Sequence, residues 1–218
     1  KITENKYGVN SALLSNEANG FVLTSGDGLR GFEKAVIKTS LNEFITSYNT
    51  RFNLGFGIEN DKAIIEKKKH FFNDNNLVDL GNVKNLQATP ALDHIFSSIK
   101  IGWPNQTYDD VNGRNEFNTT QEYTTPITRV SKVLDLVSSY RADAYGAEFT
   151  RINLENKKTT DSGSDNDVFI INIESLPVDG KYNLNRPAYD SMTGIISPST
   201  IFNIELSPKR CLLAHGDY

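Results

Sequence analysis

The pattern of apolar and polar positions is clearest between Thr39 and Phe72. Apolar residues recur there at helical spacing, which predicts an amphipathic helix with one apolar stripe. The stripe consists of Leu41, Phe44, Ile45, Tyr48 and Phe52. Ser40, followed three residues later by Glu43, predicts a capping box that satisfies two amides of the first turn. Gly55 and Gly57 are interpreted as the signal that ends the helix.

Strands are predicted on both sides of this helix. Residues 32–38 alternate between apolar and polar side chains, and Asn60-Asp61 predicts a turn into a second strand over residues 63–72. The stretch 32–72 therefore reads as strand, helix, strand, which suits a small α+β layer with the helix stripe on a sheet.

Shorter patterns predict the remaining elements. The nearly continuous apolar run over 168–175 predicts a central strand. Valines and leucines at helical spacing predict a helix over 128–140, although valines also suit a strand. Ser207-Pro208 predicts the start of a last helix by cap-and-proline logic. Further strands are predicted at 21–23, 99–103 and 116–127, and a short helix at 88–98.

These elements predict an α+β fold, mainly antiparallel strands in barrel-like subdomains with three to four short helices. We expect a polar arm and turn over 1–31, a small α+β unit over 32–90, and a β-rich subdomain over 91–218 that contains the helix 128–140. The chain begins with Lys1 and stops just after a helix has begun. We therefore expect it to be part of a longer protein. The expected core consists of Phe44, Ile45, Tyr48, Phe52, Ile64, Ile99, Ile101, Val133, Leu134, Val137, Phe169 and Ile171.

Composition limits the classes of function. The chain has 218 residues, 38% apolar and 23% charged, which is typical of a soluble globular protein. Its net charge of −4 gives no general attraction to nucleic acid or to an anionic membrane. No apolar run approaches the ~18–20 residues of a membrane helix. We predict neither a nucleic-acid nor a membrane partner.

The residues that could bind metal do not form a recognised pattern. His70, His94 and His215 are dispersed without zinc-site spacing, and we interpret them as ordinary exposed side chains. The acidic loop 161–167 could offer oxygen ligands to Ca²⁺, but it lacks the order of a calcium-binding loop. We interpret that loop as solvated and predict no metal and no cofactor.

No catalytic motif stands out either. The stretch Gly26-Asp27-Gly28 invites comparison with a phosphate cradle, but it lacks the lysine of a P-loop and the third glycine of a dinucleotide fingerprint. We interpret it as a simple turn. Cys211, the single cysteine, excludes an intrachain disulfide and is expected to be buried on a helix. The prediction is that the protein is not an enzyme.

A ligand-binding module is the alternative hypothesis. Aromatic rings near one predicted hairpin could line a groove, with acidic side chains bonding sugar hydroxyls, although cross-strand packing explains such rings more often. The residues of this candidate site are Trp103, Tyr108, Asp109, Asp110, Asn112 and Tyr123. A hydrolase is a third class, in which the same aspartates or Glu116 would need to form two facing carboxylates.

Two stretches resemble parts of hub and baseplate proteins of phage tails. Residues 40–72 (SLNEFITSYNTRFNLGFGIEN, then KAIIEKKKHFF) resemble the helix-then-strand module built onto their barrels, and residues 92–118 resemble the segment that starts a barrel strand. Residues 108–118 and 127–149 also resemble uncharacterised proteins of phages and prophages of gut Bacteroidetes.

The resemblance implies a structural virion component without an active site. Such a protein would assemble with copies of itself, as a homo-oligomer, or with other virion proteins. It would be found in the virion, or in the host cytoplasm during assembly. The family's motif residues are packing residues, so the resemblance assigns no functional residue to this chain.

Overall fold

The computed structural model describes residues 9–11, 13, 20–72, 79–104, 118–152, 163–178, 181–185 and 202–216. Its strands are β1 (Val9–Asn10), β2 (Phe21–Ser25), β3 (Leu54–Glu59), β4 (Lys62–Lys67), β5 (Ser98–Gly102), β6 (Gln121–Thr124), β7 (Val133–Val137), β8 (Val168–Val178) and β9 (Lys181–Leu184). Its helices are α1 (Gly26–Leu29), α2 (Leu41–Phe52), α3 (Lys68–Phe71), α4 (Ala144–Ile152) and α5 (Pro208–Gly216), with 3₁₀ turns at Leu92–His94 and Ile204–Leu206.

The strands form three sheets of three strands each, in the orders β1-β4-β3, β2-β8-β9 and β6-β5-β7. Four of the pairings are antiparallel, whereas β1 lies parallel to β4 and β7 lies parallel to β5. The predicted α+β class is therefore confirmed. None of these three described sheets closes on itself, so the barrel-like form is not confirmed.

Helix α2 forms as predicted, with Ser40 and Glu43 making the capping box. Its end differs from the prediction. The helix stops at Asn53, which adopts a left-handed conformation with φ of 53°, and Gly55 and Gly57 lie inside β3. These two glycines are needed for close approach, because a Cβ at either position would lie 2.5–2.7 Å from the ring of Phe71.

The hairpin of β3 and β4 turns at Asn60-Asp61, as predicted. Both residues have positive φ, 50° and 60°, which makes this a two-residue type I′ turn. Strand β4 ends at Lys67, so the predicted strand to Phe72 is wrong over its second half. The chain folds there into α3, which places the Phe71 ring over the hairpin. Residues 32–38 form no strand.

The predicted helix over 128–140 is wrong. Residues Val133–Val137 form β7, which lies parallel to β5 with Leu134 beside Ile99. Apolar residues spaced for a helix can also alternate along a strand, and a neighbouring strand favours β-branched side chains. Val133 is exposed, so it does not belong to the core. The short helix predicted over 88–98 is only a 3₁₀ turn, and of the strand predicted over 116–127 only β6 forms in the described part, 118–127.

Strand β8 is the central strand of its sheet, as predicted, and its apolar side chains between Val168 and Ile173 are buried on both faces. One core cluster joins Tyr48 and Phe52 of α2 to Trp103, Leu206 and Cys211 from the second half of the chain. The predicted boundary at residue 90 therefore does not separate two cores. Part of the predicted arm also joins a sheet, because β2 pairs with β8.

Candidate interaction surface

Strand β3 lies at the edge of its sheet among the described residues. Its outward side is called here the β3 edge. In a two-residue hairpin the residues beside the turn form a hydrogen-bonded pair, and such pairs then alternate. The backbone groups of Leu54, Phe56 and Ile58 therefore point away from β4. The N–H of Leu54 is satisfied, because it donates to Oδ1 of Asn49 at 2.8 Å.

The β3 edge is also apolar. Phe56 is 49% exposed and Ile58 is 74% exposed, and both side chains lie on the face opposite Phe71. Sheet edges in soluble proteins commonly carry a lysine, a proline or a bulge that prevents pairing with another chain. β3 has none of these between Leu54 and Glu59. Its composition is typical of a strand that pairs with a further strand.

The charges that lie nearest the β3 edge differ between its two ends, although β4 behind it places Lys62 opposite Glu59 and Glu66 opposite Gly55. Glu59 and Asp61 lie at the turn, where His70 Nε2 comes within 3.6 Å of the Glu59 carboxylate. Lysines 67–69 lie at the other end, and the Cα of Lys68 is 3.5 Å from where a Cβ on Gly55 would be. A strand with an acidic end and a basic end favours an antiparallel neighbour of the same kind.

A second exposed apolar stretch follows in the chain and is called here segment 79–92. It contains no strand, and its first regular element is the 3₁₀ turn that begins at Leu92. Its exposed apolar side chains are Leu80 (77%), Val83 (54%), Leu86 (83%) and Leu92 (61%). Four exposed large apolar side chains within one short segment exceed the singly scattered ones that are normal on a surface, and this favours an interaction site.

The structure removes Trp103 from the predicted ligand groove. Its ring is 1% exposed, and its indole Nε1 donates a hydrogen bond to the carbonyl of Leu206. A buried ring cannot offer its face to a sugar. Tyr123 is half-buried against the core, and its hydroxyl donates to Oε1 of Gln121 at 2.7 Å. The other predicted groove residues, Tyr108, Asp109, Asp110 and Asn112, lie outside the described residues, as does Glu116.

Two buried arginines were not predicted, and they explain the acidic loop. Arg30 Nη1 lies 2.6 Å from one carboxylate oxygen of Asp165, and both side chains are buried. Arg141 pairs with Asp143 at 2.6 Å and with Asp167 at 2.8 Å, and lies over the Phe169 ring. The interpretation of the loop as solvated is therefore wrong for Asp165. Arg30 and Asp165 are 135 positions apart, so no local pattern signals their pairing.

The glycine-rich turn is a single helical turn, α1, capped by Ser25. The N–H groups of Gly26 and Asp27 donate to the carbonyls of Asp167 and Asp165. These are the amides that a phosphate would need, and the chain itself uses them. The structure therefore supports the interpretation as a turn.

The single cysteine is buried, and one histidine is half-buried. Cys211 is fully buried, as predicted, and this burial raises the pKa of its thiol to about 12, so the thiol stays protonated at neutral pH. His215 was expected to be exposed, but its Nε2 lies 2.9 Å from the carbonyl of Asn49 and 3.2 Å from that of Thr50. Burial lowers the pKa of His215.

Other kinds of site are scarce among the described residues. Within the part of the chain that the structure describes, no group of three or more His, Cys, Asp and Glu side chains could hold a metal ion. A small polar cleft of about 160 Å³ is lined by Asn172, Asn185, Ile204, Glu205 and Arg210.

None of the described helices has the length and apolar character needed to cross a membrane. Comparison with models of known protein families, with curated proteins and with solved structures finds no match to this chain.

Proposed function

We propose that this chain is a structural assembly component that acts through protein–protein contacts, first of all with copies of itself, and not through catalysis. The observation that carries the proposal is segment 79–92, where large apolar side chains face solvent one after another. Burying such a side chain contributes roughly 1.5–3 kcal/mol. A partner that covers several of them would therefore be bound with useful affinity.

The backbone of segment 79–92 suits this role. A segment without a helix or strand can adjust its conformation to the surface that it meets, at the cost of becoming ordered. Gly81 and Asn85 both have positive φ, 59° and 60°, so the chain changes direction twice between the exposed side chains. The apolar residues are consequently presented to a partner without support from a sheet or a long helix.

The setting that we propose is a phage or prophage particle, with other virion proteins as further partners and with the virion or the host cytoplasm during assembly as the location. The support for this setting is the resemblance of roughly residues 36–150 to tail hub and baseplate proteins. The same resemblance implies that the subdomains close into barrels, and we include this in the proposal.

Light scattering behind a sizing column, over a range of concentrations, tests the proposal. We expect the wild-type chain to form a discrete oligomer, and the double variant Leu80→Ser, Leu86→Ser to dissociate at a concentration at least about tenfold higher, because apolar contact area is lost. Leu213→Ser is the matched control, since Leu213 is as exposed as Leu92 but lies on α5. A monomer at every concentration of the wild-type chain would contradict self-assembly.

A further inference from the structure

We propose that two copies of this chain join through their β3 edges, paired antiparallel about a twofold axis at Gly57. The two sheets would then form one continuous sheet of six strands, since each contributes three. This inference rests on the proposed function, because it names the partner and the surface for one of the assembly contacts.

Backbone hydrogen bonding selects the register. Phe56 and Ile58 each direct one N–H and one C=O outward, whereas the outward N–H of Leu54 is already bonded to Asn49. When Phe56 lies opposite Ile58 of the partner, all of these outward groups pair, and the twofold axis doubles the set to four hydrogen bonds. Pairing Phe56 with Phe56 instead would place Ile58 opposite Leu54, where one donor is missing. Pairing Ile58 with Ile58 would place Phe56 opposite Asn60, which belongs to the turn.

Side-chain packing agrees with the same register. Phe56 of one copy would lie beside Ile58 of the other, and this aromatic–β-branched contact would occur twice on one face. On the opposite face the two Gly57 residues meet at the axis with no side chain between them. The Phe71 rings that cover the glycines would then come together across the axis. Both faces of the junction would be apolar.

Charge decides between antiparallel and parallel pairing. In the proposed register Glu59 lies opposite Gly55 of the partner, and the backbone of Lys68 passes directly over that glycine. Glu59 of each copy therefore comes close to Lys68 of the other copy, at two symmetric positions. A parallel arrangement would instead bring Glu59 of one copy towards Glu59 of the other, which is unfavourable.

The first test measures the concentration dependence of the mass of the full chain by light scattering. Ile58→Lys places a charge in the junction at a side chain that is already exposed, so the monomer should still fold, as near-UV circular dichroism can verify. We expect this variant to raise the dissociation constant at least about 100-fold, and the control Leu213→Lys to leave it unchanged. If the wild-type chain associates and Ile58→Lys associates equally well, the β3 pairing is overturned while the proposed function stands. If the wild-type chain is monomeric throughout, both are overturned.

The second test reads the register directly with disulfides. Residues opposite each other in a hydrogen-bonded pair have Cα atoms about 5.5 Å apart, within disulfide range. Mixing Phe56→Cys with Ile58→Cys should therefore give a mixed crosslinked dimer faster than either variant crosslinks to itself. The native Cys211 is fully buried and should not compete. Faster self-crosslinking of either variant, or no crosslinking at all, would overturn the proposed pairing.

Discussion

Strands β8 and β3 are both rich in large apolar residues, but the fold uses them in opposite ways. β8 lies between β2 and β9, and Phe169, Ile170 and Ile171 in succession are buried. Among the described residues β3 has a neighbouring strand on one side only, and its two large side chains after Leu54 face solvent. The same kind of side chain thus stabilises the monomer in one strand and is left available to a partner in the other.

The surroundings of the two strands explain this difference. β8 is held by the buried residue Arg141. Its guanidinium stacks on Phe169 and donates to the carboxylate of Asp143, and its backbone N–H donates to the carbonyl of Val168. β3 is held mainly by its own hairpin and by the ring of Phe71. Changes near β8 should therefore affect unfolding, whereas changes on the outer side of β3 should affect association.

The largest effect is expected from Arg141→Met. This change leaves the carboxylate of Asp143 buried without its guanidinium, and breaking a buried ion pair in this way costs about 3–5 kcal/mol. Urea denaturation should show the free energy of unfolding lowered by that amount. Lys132→Met is the control, because the exposed Lys132–Asp93 pair contributes about 0–1 kcal/mol. Equal effects of the two variants would show that the ion pairs beside β8 are not special.

The next effect compares two isoleucines directly. Ile170→Ala removes a side chain that is 0% exposed and should lower the free energy of unfolding by about 2–5 kcal/mol, through lost burial and a cavity. Ile58→Ala should change it by less than about 0.5 kcal/mol in the monomer. Denaturant unfolding at a concentration where the chain is monomeric measures both. A large loss for Ile58→Ala would mean that β3 belongs to the folded core after all.

A smaller effect tests how the hairpin is held. Gly55→Ala places a methyl group against the Phe71 ring and should destabilise the chain by about 1–3 kcal/mol. With Phe71→Ala in the background, the same change should be neutral or stabilising by about 0.4–1 kcal/mol, because the ring is gone and the unfolded chain loses freedom. A double-mutant cycle by urea denaturation measures this coupling. Additive effects would show that the glycine and the ring are independent.

The smallest effect concerns pH. Burial lowers the pKa of His215 in the folded chain below its unfolded value, so the folded state favours the neutral imidazole. The contribution of neutral His215 to the free energy of unfolding is therefore present above its unfolded pKa, near 6.5. It is lost as the pH falls through the lower pKa of the folded chain. Unfolding curves between pH 5 and pH 8 should show this loss in the wild-type chain and a weaker loss in His215→Gln. Identical pH profiles of the two proteins would exclude His215 as the source of the loss of stability at low pH.

Elements decided by local signals could be predicted from the sequence. The cap of α2, the start of α5 at Pro208 and the nearly continuous apolar run of β8 each need only neighbouring residues, and each formed where it was predicted. The stretch 128–140 was misread because its spacing suits two structures. Only the presence of β5 beside it favours the strand.

The candidate surface was less accessible to prediction because exposure depends on distant residues. A glycine can end a helix or make room for an aromatic ring, and the sequence around Gly55 and Gly57 does not distinguish these roles. The position of the Phe71 ring in the folded chain does. From the sequence, Trp103 could serve as a ligand-binding platform. In the structure its indole N–H donates to the carbonyl of Leu206, which is far along the chain. Whether a strand is at an edge follows from the pairing of every other strand in its sheet.

The anchoring of loop 163–167 through Asp165 has a practical consequence for labelling the protein. Its small polar residues would make it an obvious place to insert a tag or to expect protease cleavage. Yet the carbonyl oxygen of Ser164 lies 1.9 Å from where a Cβ on Gly26 would be, and Asp165 is held by Arg30. An insertion there would separate α1 from β8 and unfold this end of the sheet. Segment 79–92 would accept a tag without that damage, but the tag would then report on the surface that we propose as the site of assembly.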